Sequence, residues 1–254
     1  MLGYKEQEKL IDNILNTFEG DMARIILEME RLIQRFMFNT NLSTKEILDF
    51  TIMFNEALVN TGYYEAVNKM VGSDYDKLLP LVIDSYKMGG FITAYTADDL
   101  TTVMALKALE ANKFSVMASS SATTLRDNLY RYSLGSFTKE DMTAQLIEDF
   151  RGTNISRYAN TLANTAITEF NQSVVDTKAE GLDGVWVYIG VFDSVTRDYC
   201  KCILKKKHYY TREEKAVMQN DYKRKYRCRH IFKMVTPEWA ELHGYSDSTG
   251  VDCV

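Results

Sequence analysis

Proline is nearly missing from this chain: Pro80 and Pro237 are the only two in 254 residues. Proline breaks helices and interrupts strand ladders, so its scarcity leaves long segments free to form unbroken helix. Long apolar runs are missing as well. The longest, residues 78–83, is far too short to span a bilayer, and no membrane partner is expected. Met1-Leu2-Gly3-Tyr4-Lys5-Glu6 offers no apolar core of a signal peptide, so synthesis in a cytoplasm and reduced cysteines are expected. Catalytic signatures are missing too. There is no Gly-x-Ser-x-Gly elbow, no phosphate-cradling glycine loop and no His-Glu-x-x-His pair, and a non-enzymatic role is expected.

What is present is helical periodicity. Leu10, Ile11, Ile14, Leu15 and Phe18 form one apolar stripe. Ile25, Ile26, Met29, Leu32, Ile33, Phe36 and Met37 form a second, and Gly20-Asp21 between them reads as a stop followed by a cap. Ser43-Thr44-Lys45-Glu46 is a capping box, opening a helix that runs to about Val59. Further helices are predicted near residues 63–71, 75–88, 97–113, 122–132, 138–150 and 155–180. Gly89-Gly90 breaks the chain, and the small polar stretch 117–124 reads as a loop or hinge.

The character changes after Gly181. Residues 185–192, Val-Trp-Val-Tyr-Ile-Gly-Val-Phe, are β-branched and aromatic and predict a strand. A helix is predicted over 211–225 and a second strand over 230–235, with Thr236 capping a short helix that starts at Pro237. The fold class is therefore mainly α. A multi-helix body, residues 1–180, precedes a small α+β module with two or three short strands, residues 181–254.

Charge is unevenly spread. Residues 1–196 carry 17 basic and 27 acidic side chains, whereas residues 197–233 carry 13 basic and 4 acidic. A basic block in an acidic chain suits an anionic partner, or else forms a solvated face that balances the acidic helices. Its members include Lys205, Lys206, Lys207, Arg212, Lys215, Lys223, Arg224 and Lys225, interleaved with Tyr209, Tyr210, Tyr222 and Tyr226. Such residues neutralise phosphates without reading sequence, and the tyrosines either stack on bases or pack in the core.

Cys200 and Cys202 flank Lys201, and Cys228 and His230 flank Arg229. Three thiolates and one imidazole can close a tetrahedral Zn2+ site, which would stitch a small module together. Zinc modules usually leave two or more residues between paired cysteines, and both pairs here leave one; ordinary thiols and a surface histidine are the other reading. Asp193 and Asp198 nearby suggest either turn and cap residues or a hydrolytic centre.

The order of these features carries a resemblance. A helix with Ala163-Asn164-Thr165-Ala166-Ile167-Thr168-Glu169-Phe170-Asn171 leads to a strand with Trp186. Asp193, Thr196, Cys200 and Cys202 follow, then Cys228-Arg229-His230 and Val235-Thr236-Pro237-Glu238-Trp239. Over residues 155–242 the chain resembles the phage head morphogenesis family, the Mu F-like minor head proteins. Asn164 stands where that family usually has arginine, and Tyr226-Arg227 where His-Pro is frequent. The resemblance implies a structural virion protein of a tailed bacteriophage, made in the host cytoplasm and placed at the portal vertex or capsid interior. It implies the portal protein as partner, with the major capsid protein or scaffold as further ones and packaged DNA bound without specificity. The helical body would then make the protein contacts and the basic module the DNA contacts. The competing reading is a zinc-dependent nuclease or toxin-like effector.

Overall fold

The structure is a computed structural model, and it describes residues 3–220 and 230–247. It is mainly helical, with ten helices among the described residues and a small sheet of four short strands near the carboxy-terminal end. The helices are α1 (Tyr4–Asn39), α2 (Thr44–Asn60), α3 (Tyr63–Asn68), α4 (Leu78–Met88), α5 (Ala97–Ser133), α6 (Lys139–Gly152) and α7 (Asn154–Lys178). A π-helical turn, Lys69–Asp74, follows α3. Then come β1 (Val185–Ile189), α8 (Asp198–Lys206), β2 (His208–Tyr210), α9 (Arg212–Asn220), β3 (Ile231–Val235), α10 (Pro237–Leu242) and β4 (Ser246–Asp247). Among the described residues no helix is long and apolar enough to cross a membrane.

Two expected interruptions are absent. Gly20-Asp21 lies inside α1, and the 117–124 stretch lies inside α5. The second has a visible cause. Phe114, Met117, Ala118, Ser121, Ala122, Leu125 and Leu129 are all buried at helical spacing, so the small residues belong to a packed face. The Ser121 hydroxyl donates to the Met117 carbonyl at 2.9 Å, which satisfies it within the helix. Both expected caps are present: Ser43 and Glu46 exchange the reciprocal bonds of a capping box, and the Thr236 hydroxyl accepts the Trp239 amide ahead of Pro237.

The chain divides into two compact units. One holds Ile14–Ser73 and Ala108–Ala163. Its core includes Phe50, Phe54, Phe114 and Phe150, with Phe54 and Phe150 edge to face at 6.0 Å. The other holds the residues up to Asn13, Asp74–Lys107 and everything from Asn164 onward. The unit that holds the sheet thus also includes chain from the amino-terminal half.

Within that unit the strand order is β3-β1-β2-β4, with β1 antiparallel to both neighbours and β4 parallel to β2. All five residues of β3 are buried. Gln172 of α7 grips the outward side of β3: its Oε1 accepts the Phe232 amide at 2.9 Å, and its Nε2 lies 3.3 Å from the Phe232 carbonyl. One turn on in α7, Tyr86 of α4 donates to the Val175 carbonyl at 2.6 Å. Past the end of α4, Gly89 accepts the Thr236 amide at 2.9 Å. Gly90 next to it has φ +96, and a Cβ there would meet the Thr236 side chain at 2.9 Å, so both backbone and space require glycine.

Candidate functional site

The Cys/His region is built on β1, α8 and the residue before β3. Tyr188 of β1 is its hub. The Tyr188 hydroxyl donates to Cys200 Sγ at 3.3 Å, and its ring stacks on His230 with centroids 5.5 Å apart. His230 is buried and its Nε2 lies 2.7 Å from the Val191 carbonyl. A carbonyl only accepts, so Nε2 carries a proton. Gly190 lies so close beneath the imidazole that any added Cβ would collide with it.

The loop leading to α8 is self-satisfied. Asp193 Oδ1 accepts the Val195 amide at 3.1 Å, and Thr196 Oγ1 accepts the Asp193 amide at 3.1 Å. Asp193 is thus a turn residue, and Asp198 opens α8, where it lies 3.6 Å from Lys201. The sequence gives no hint of α8 itself, which places Cys200 on the buried face and leaves Cys202 half-buried.

Of the four expected zinc ligands, Cys200, Cys202 and His230 lie among the described residues. Cys200 carries no disulfide, and Cys202 is disulfide-bonded. A disulfide sulfur is not the thiolate that zinc requires. Cys228 lies outside the described residues, and among the described residues no three of His, Cys, Asp and Glu gather into a metal-holding group.

The basic residues separate into distinct environments. Lys205 and Lys207 are exposed, with their ammonium groups 5.5 Å from the Phe192 ring and 6.0 Å from the Tyr245 ring. Lys206 is half-buried, and Arg212 is exposed while donating to the Ala179 carbonyl at 3.3 Å. Lys215 does not belong with them. It is 5% exposed, bonds Asp176 at 2.5 Å and sits 3.9 Å over the Trp186 ring. A cation taken from water needs such partners to offset desolvation, and they leave it unable to reach a phosphate. Lys223, Arg224 and Lys225 lie outside the described residues, as do Tyr222 and Tyr226. Tyr210 packs edge to face on Phe232, and burial, with help from Glu214, pushes its phenol up to about 12. It is core and not a base-stacking platform; Tyr209 is half-buried.

Sequence reasoning missed the residues that organise this region: Tyr188, Gln172 and Asp176. Asp176 accepts from Gln172 at 2.8 Å as well as from Lys215, which ties α7 to α9. A faint signal exists, since Gln172 and Asp176 stand one turn apart beside the apolar residues Phe170, Val174 and Val175.

The chain matches no family model, no curated protein and no solved structure.

Proposed function

We propose that this chain is a structural minor head protein of a tailed bacteriophage, without catalytic activity, that docks at the portal vertex. In this reading the portal protein is its main partner, the major capsid protein or scaffold are further ones, and packaged DNA is touched through basic side chains. The order of features from Asn164 to Trp239 supports the family reading. The observation that carries the DNA contact is the outward display of Lys205, Lys207 and Arg212 in a chain that is acidic elsewhere. The turn role of Asp193 and the engaged Nε2 of His230 speak against a hydrolytic centre.

Two measurements test it. Fluorescence anisotropy with duplex DNA should give weak, sequence-independent binding whose log–log salt slope is about −2.7, for three phosphate contacts. Lys205→Glu with Lys207→Glu should reduce that slope by about 2. Strong preference for one sequence, an unchanged slope, or DNA cleavage that Asp193→Ala abolishes would each count against the reading. A reconstruction of the portal vertex without imposed icosahedral symmetry should show the chain in low copy number; its absence from that vertex would remove the portal role.

A further inference from the structure

One recess in the sheet-containing unit has a chemistry that the proposed function does not use. It is small, with about 30 Å³ in which atoms the size of a water can place their centres, and it lies between the first turns of α1 and the middle of α7, with β3 beside it. Asn164, Thr168 and Asn171 line it from α7 at i, i+4 and i+7, so one helix face presents all three. They belong to the Ala163–Asn171 segment whose polar residues carry part of the family resemblance. From α1 come Gln7, Glu8 and Asp12.

Two buried acceptor atoms among these lining residues lack a donor. Gln7 is 1% exposed and its Nε2 donates to Asn171 Oδ1 at 2.6 Å, which turns its carbonyl oxygen away from Asn171. That Oε1 has no hydrogen-bond partner, nor has the buried Oδ1 of Asn164. The Thr168 hydroxyl spends its hydrogen on the Asn164 main-chain carbonyl at 2.8 Å, so its lone pairs are what remain. Asp12, at the exposed rim, and half-buried Glu8 add carboxylates, and among the described residues no lysine, arginine or histidine lines the recess. Buried acceptors without donors are rare, and a site that gathers two beside two carboxylates is matched to a cation rich in N–H groups.

We propose that this recess binds a guanidinium group, presented by an arginine side chain of a protein partner or by a free guanidino compound. Guanidinium fits better than ammonium because acceptors standing on two helices call for several N–H groups fixed in one plane. It is also the more weakly hydrated cation, so it loses less on entering a half-buried site. The side-chain amides of Gln7 and Asn164 recognise the plane, and Asp12 and Glu8 supply the charge. This proposal is independent of DNA contact through Lys205 and Lys207.

The test uses the full chain labelled with ¹⁵N, with acetyl-arginine-amide, agmatine, an acetyl-Ala-Arg-Ala-amide peptide and the uncharged isostere acetyl-citrulline-amide as probes. The expected result is saturable movement of the Gln7, Asn164 and Asn171 side-chain amide signals with the guanidinium probes, at Kd of about 1 mM or below. Tighter binding of the peptide than of agmatine names a protein-borne arginine, and the reverse names a small molecule. Asp12→Asn with Glu8→Gln should weaken binding about fivefold. Asp12→Asn alone, at an exposed position, should weaken it in the same direction. Equal binding of citrulline, no movement of those three amides, or unchanged affinity in the carboxamide variants overturns the proposal.

Discussion

Lys233 lies on β3 with 1% of its surface exposed, and removal from water pushes its ammonium down to about 7 while Glu6 acts to raise it. An unfolded lysine titrates near ~10.4, so between those values the unfolded chain binds the extra proton. Stability should therefore rise with pH from about 7 to about 10, by roughly 1.4 kcal/mol per pH unit. Below that window both states are charged and the penalty is constant. The buried phenols of Tyr63 and Tyr86 act with the opposite sign. Burial raises both, so their contribution is lost only as pH climbs beyond the ordinary tyrosine range. Urea midpoints at several pH values check this: the native protein should show the rise, and Lys233→Met should be flat across the window and more stable at neutral pH. A native protein already flat there would refute the assignment. At this scale the sequence was half legible. Cys200 and His230 stand out by their pairing, but their partners are a tyrosine hydroxyl and the Val191 carbonyl, and no residue pattern marks a main-chain acceptor. Lys215 read as one more member of a basic block, because charge is visible in sequence and burial beside Asp176 is not.

At the scale of elements, capping chemistry and apolar periodicity read true, and breaker residues misled. Gly20 is exposed in the middle of α1 and a Cβ there meets nothing within 4 Å. Glycine in such a place only adds freedom to the unfolded chain, so Gly20→Ala should stabilise the protein by about 0.5–1 kcal/mol in chemical denaturation. A loss of stability would mean that the helix does not run through this residue. The 117–124 stretch misled for a related reason: serine and alanine fill close-packed helix faces as well as loops, and composition does not distinguish them. Gln172 gives a sharper element-level prediction. Gln172→Ala leaves the outward amide and carbonyl of Phe232 without their partner, at a cost of about 1–3 kcal/mol. Hydrogen exchange at the Phe232 amide should accelerate beyond what the global loss explains. Unchanged protection there would show that the side chain adds nothing to the strand.

For the whole molecule, the sequence suggested a helical body followed by an appended module, but the unit holding the sheet is assembled from three separate stretches of chain. The change of composition near Gly181 marks where strands begin, which is a different thing from where a compact unit begins. Residues 181–254 cut from the rest lose the Gln172 grip on Phe232, the Gly89 acceptor for Thr236 and the Asp176 partner of buried Lys215. That fragment should therefore give collapsed amide dispersion and no cooperative unfolding transition. A well-dispersed, cooperatively melting fragment would restore the independent module. Charge distribution was the most legible whole-chain property, since it needs only counting, and the least informative about which cations face outward.

The closure of β3 also governs how copies of this protein can meet. An outermost strand with free amides and carbonyls is a template on which another chain can pair, the usual route to strand addition and aggregation. Here Gln172 occupies Phe232 and the Gly89 carbonyl occupies the Thr236 amide, while β4 at the opposite border is only two residues long. A neighbouring strand arriving at β3 has to displace α7 or the end of α4 before it can form a ladder. Crowded copies at high local concentration are thereby steered away from fusing their sheets through β3 and toward meeting through side-chain surfaces.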